Sequence, residues 1–153
     1  MYFINIKKLK QEIKEDRFTE KHAYGYFFWT FLLFMVMITP TLSGGYPELN
    51  VYDHLSSLVI VIATIIGLKY SYHTNGGDNG VDFIKKFFAV SWVRGWRVVI
   101  PTAIIFILVL LVTGVYENEL MVSALTIVYD VISYGLIYYL VGKDLKELNK
   151  KHH

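Results

Sequence analysis

Four long apolar runs constrain this chain more than any other feature, because a small water-soluble domain could not cover them. They occupy residues 24–42, 55–72, 98–115 and 120–141. A hydrocarbon core about 30 Å thick requires about 20 mostly apolar residues at a rise of about 1.5 Å each. Within such a core only helices and closed barrels satisfy their own backbone groups, and barrels show short alternating segments instead. The uninterrupted runs are therefore read as four membrane-spanning helices. Composition agrees: hydrophobic residues make up 54% and charged residues 18%, against about 45–50% and about 25% in soluble domains. The first 21 residues hold no apolar run of signal-peptide length, so the first span is expected to be an uncleaved anchor.

The cations give the orientation. Lys7, Lys8, Lys10, Lys14, Arg17 and Lys21 precede the first span. Lys69, Lys85, Lys86, Arg94 and Arg97 surround the middle connection, and Lys143, Lys146, Lys150 and Lys151 follow the last span. The loops 43–54 and 116–119 hold none, so all 15 Lys and Arg lie on one side. Short cytoplasmic segments carry the excess Lys and Arg. The expected fold is an all-α integral membrane protein forming one domain over residues 1–153. It is a four-transmembrane-helix bundle with both termini cytoplasmic (N-in, C-in), in a bacterial-type inner membrane. A net charge of +2 gives no reason to expect a nucleic-acid partner.

Two cytoplasmic stretches carry helical amphipathicity. In the N-terminal arm, Ile6, Leu9 and Ile13 recur at helical spacing among Lys and Glu. In 81–97, Ile84, Phe87, Phe88, Ser91, Trp92 and Gly95 share a face, with Lys85, Lys86 and Arg97 mostly opposite and Asp82 placed to cap the start. A basic face against an aromatic one suits a helix lying in the headgroup layer between spans two and three. Lys85, Lys86, Trp92, Arg94, Trp96 and Arg97 are then the expected contacts to anionic membrane lipids. The rival geometry merges this stretch with the third span as one longer helix, with Pro101 as a kink.

The connection 73–82 is rich in Gly and Asn, with turn dipeptides at Asn75-Gly76 and Asn79-Gly80. His73, Asn75, Asp78 and Asp82 form a possible ligand loop. It lacks the lysine of a phosphate-binding loop, and Lys86 stands where a calcium loop starting at Asn75 needs Glu. A sharp turn is the plainer reading. A cytoplasmic metal site of His22, His73 and Asp78 is a weaker possibility. No metal, cofactor or catalytic motif is assigned: HExxH, GxSxG and cysteine are all missing from the sequence.

Asp130 is the residue that demands an explanation, ten positions into a 22-residue span and near the bilayer midplane. An ionised Asp there costs about 2.5–3.5 kcal/mol on insertion scales. Ser123, Thr126, Asp130 and Ser133 step by three, four and three residues and form a polar stripe flanked by Tyr134. Leu125, Val128, Ile132 and Leu136 occupy the opposite side. Asp130 could bind a cation or proton in a transporter or channel-like subunit. It could instead bond a neighbouring helix through Ser, Thr or Tyr, or pair with Arg94. The two functional expectations follow from this choice. One is a transporter or channel-like homo-oligomer centred on Asp130, and the other is a non-catalytic accessory or anchoring subunit of a larger membrane complex.

Overall fold

The computed structural model describes residues 1–42 and 51–149, with residues 37–42 described by backbone alone. Glu48 of the loop 43–54 and Lys150 and Lys151 of the tail lie outside the described residues. Five helices follow in order: α1 Ile6–Lys14, α2 Glu20–Leu42, α3 Val51–Thr74, α4 Phe83–Thr113 and α5 Glu119–Asn149. Short 3₁₀ turns at Gly77–Asn79 and Val115–Glu117 join the last three. Among the described residues there is no strand.

Local chemistry sets several boundaries. Asn5 begins α1 by accepting a bond from the Lys8 backbone N–H at 3.1 Å, and Asn118 does the same for Met121 at 3.2 Å at the start of α5. Gly114, at φ +66°, ends α4 in a conformation that costs glycine nothing.

α4 runs unbroken for 31 residues through Pro101, which corrects the expectation of a separate interfacial helix over 81–97. The ring of Pro101 removes one backbone bond without ending the helix. Asp82 also departs from expectation: it precedes α4 in the left-handed region at φ +56°, and its side chain caps nothing.

α3, α4 and α5 are each long and apolar enough to cross a membrane. At 31 residues, α4 and α5 are each roughly 46 Å long, well beyond a hydrocarbon core of about 30 Å. Their surplus length is all at the end that carries the cations. The spanning parts are little covered: Ile104, Ile105, Leu108 and Leu111 of α4 and Ile62, Ile65 and Ile66 of α3 are exposed. Apolar faces of this extent need hydrocarbon around them.

Among the described residues, the four long helices form an open row, α2–α4–α5–α3. Each end helix packs chiefly on one neighbour. The packed core sits at the cation-bearing end, where Ile6, Leu9 and Ile13 of α1 meet Ala89, Val90 and Val93 of α4. Val141, Leu145 and Leu148 of α5 complete it. The apolar stripe of the arm is thus buried in protein, and α1 serves as a strut across α4 and α5.

Candidate functional site

Asp130 is buried, and it accepts a hydrogen bond from the Ser56 hydroxyl across the α3–α5 contact. Ser133, one turn on, is buried and donates to Thr102 of α4 at 3.3 Å. Two members of the predicted polar stripe therefore tie α5 to two different neighbours. Thr126 donates to the carbonyl of Val122 in its own helix at 2.9 Å, and Ser123 is half-buried. Tyr134 is half-buried and faces the surface between α3 and α5. The stripe does not converge on one point, and Arg94 does not reach Asp130.

Arg94 instead makes a two-pronged ion pair with Asp144, at 2.5 Å from Nε and 2.9 Å from Nη2. Lys10 reaches the same carboxylate at 3.2 Å and Glu147 at 2.5 Å, while Lys14 holds Glu147 at 3.0 Å. Asp144 is 1% exposed, so its charge is shielded from water and needs this pairing. The bonds from Lys10 and Lys14 hold the Glu147 carboxyl down to about 2. Burial of Lys10 works to lower its pKa, but its bonds to Glu147 and Asp144 outweigh that and leave it raised. Sequence reading missed this network, although a signal existed. Acids three residues apart interrupt a basic tail, and α1 carries lysines four residues apart, one helical turn in each case.

The residues expected to meet lipid headgroups are largely engaged with the protein. Lys85 pairs with Glu20 at 2.5 Å and with Asp82 at 3.0 Å. Lys86 is buried and donates to the carbonyl of Val81 at 2.8 Å. Trp92 is buried between Phe3 and the half-buried Trp96, and Arg94 is taken by Asp144. Of these six, Arg97 alone is exposed, with no ion pair among the described residues. The reason is the continuity of α4: its basic and aromatic faces both turn toward packed neighbours.

In the Gly-rich connection, Asn75 is buried and donates to the Val81 carbonyl at 3.4 Å, closing the loop on itself. Gly76 and Gly77 adopt φ of +104° and +57°, in the left-handed region that favours glycine. Asp78 accepts from the Tyr72 hydroxyl, while His73 and Asp82 are exposed. The four residues point to different partners, and among the described residues no three His, Asp or Glu side chains converge as metal ligands. His22, His73 and Asp78 are not brought together.

Comparison with protein-family models, curated proteins and solved structures finds no match.

The α3–α5 contact itself has a distinctive construction. The two helices run parallel, with Ser56 beside Asp130, Gly67 beneath the ring of Tyr138, and Gly142 beneath the ring of Tyr70. A Cβ on either glycine would overlap the ring above it. Glycine on each helix thus receives tyrosine from the other, which draws the backbones together toward the cation-bearing end. Along one side of this contact runs an open apolar groove of about 480 Å³, floored by Ala63, Gly67 and Gly135.

Proposed function

We propose that the chain is a non-catalytic subunit of a larger membrane assembly that crosses the bilayer four times, α2 included, with both termini cytoplasmic. The observation that carries this reading is the use made of Asp130. The one acid at mid-membrane depth is committed to the Ser56 bond between α3 and α5, and it does not line the α3–α5 groove. An acid that serves transport needs access to a solute path, whereas an acid that fastens helices needs a buried partner. The open row supports the same reading, because α2 and α3 each present a long apolar face to whatever adjoins them. The orientation is supported by the coincidence of the 13 described Lys and Arg with the end where the core and the ion pairs lie.

Two experiments test this. Native mass spectrometry of the protein released gently from its own membranes should give a stoichiometric complex with a different membrane protein. Recovery as a lone chain or only as self-oligomers, with solute flux that Asp130→Asn abolishes, would return the transporter reading. The chain has no cysteine, so the single variants Lys8→Cys and Asn118→Cys can each be exposed to a membrane-impermeant thiol reagent. In intact cells the Asn118→Cys variant should be labelled and the Lys8→Cys variant should not.

A further inference from the structure

The groove beside the α3–α5 contact matches the depth and polarity profile of one phospholipid in the leaflet at the cation-bearing end. Its deep end is mostly aliphatic, formed by Val59, Ile62 and Val131 with Tyr134 beside them. Its shallow end is phenolic, formed by Tyr70, Tyr138 and Tyr139. Eleven residues separate Val59 from Tyr70, a rise of about 16 Å, and one leaflet of a roughly 30 Å hydrocarbon core is about 15 Å deep. The phenol groups carry no hydrogen-bond partner among the described residues and stand where ester oxygens of a lipid would lie.

Beyond the tyrosines the same faces turn cationic. Lys69 and His73 follow Ile62 and Ile66 by seven residues on α3, and Lys143 and Lys146 follow Tyr139 by four and seven on α5. These intervals keep them on the groove side of their helices. All four are exposed, and none holds an ion pair among the described residues. The acids near them are engaged elsewhere: Asp144 is buried against Arg94, Glu147, four residues past Lys143, is held by Lys10 and Lys14, and Asp78 is bonded to Tyr72. We propose that this groove is a seat for one anionic phospholipid, its acyl chain lying between α3 and α5 and its phosphate held by Lys69, Lys143 and Lys146. The site differs from the α4 lipid face expected from sequence, whose cations are mostly consumed within the protein.

Gly135 provides the test, because a Cβ added there meets nothing within 4 Å and a larger side chain fills the groove without displacing the fold. The full chain is reconstituted in phosphatidylcholine nanodiscs doped with phosphatidylglycerol, transferred to mild detergent, and examined by native mass spectrometry. The wild type should retain one phospholipid per chain, enriched in phosphatidylglycerol. Gly135→Leu should lower that retention at least tenfold, while Gly25→Leu on α2, equally free of clashes, leaves it unchanged. The surface variant Lys143→Gln/Lys146→Gln should keep a lipid but lose the preference for phosphatidylglycerol. Equal retention in Gly135→Leu would overturn the proposal, as would wild-type retention without headgroup preference. So would a self-dimer that Gly135→Leu dissociates, since the groove would then hold a second copy. The assay reads lipid alone, so its outcome is independent of whether the protein belongs to a larger assembly.

Discussion

Removal of the Asp144 carboxylate is the sharpest perturbation this fold offers. Asp144→Ala leaves the guanidinium of Arg94 and the ammonium of Lys10 facing one another without their shared acceptor. Breaking a buried pair by deleting one partner costs about 3–5 kcal/mol. The side chains of Arg94 and Lys10 are each 16% exposed and can recover some hydration, which places the expected loss near the low end, about 3 kcal/mol. That is a change of about a hundredfold in an equilibrium constant. The loss should fall chiefly on α1, a nine-residue helix too short to persist in water once undocked. Hydrogen exchange of the α1 amides in nanodiscs is therefore the assay, with protection expected to drop by about two orders of magnitude. Asp144→Asn keeps an acceptor of the same shape and should fall between. Protection within about threefold of wild type in Asp144→Ala would refute the assignment of the network as the latch of the arm.

Other outcomes follow from the same contacts. Glu147 is held below its ordinary 4.5, at about 2, so its contribution to α1 docking is complete above about 4.5 and disappears as pH falls toward about 2. Exchange of α1 amides should speed up across that window, and Glu147→Gln should remove the acid dependence. Gly142→Leu drives a side chain into the ring of Tyr70 and should destabilise the protein by about 1–3 kcal/mol in thermal unfolding. Adding Tyr70→Ala should recover part of that loss, and no recovery would count against the interlock. A double-mutant cycle of Ser56→Ala and Asp130→Ala should give a coupling of about 0.6 kcal/mol and at most about 1.7. A value indistinguishable from zero would remove Asp130 from the helix contact.

The sequence by itself determined where the apolar helices lie, because length and hydropathy act on each segment separately. Residues 98–115 read as a span whatever they pack against, and α4 contains nearly all of them. The buried stripe of Ile6, Leu9 and Ile13 was equally legible, since a 3.6-residue period shows in one dimension. Partnership was not legible, because periodicity names a face but not what covers it. Arg94 was available to Asp130 or to Asp144, and only the depth at which α4 passes α5 decided for Asp144. Lys85 and Lys86 looked like headgroup ligands until α4 proved continuous and turned them onto Glu20 and the Val81 carbonyl. Gly67 and Gly142 carried no signal alone; their value lies in Tyr138 and Tyr70 arriving from another helix. Local hydropathy places helices in a membrane, but their order in the row and the pairing of buried charges depend on contacts far apart in sequence. Only the tertiary structure selects those contacts.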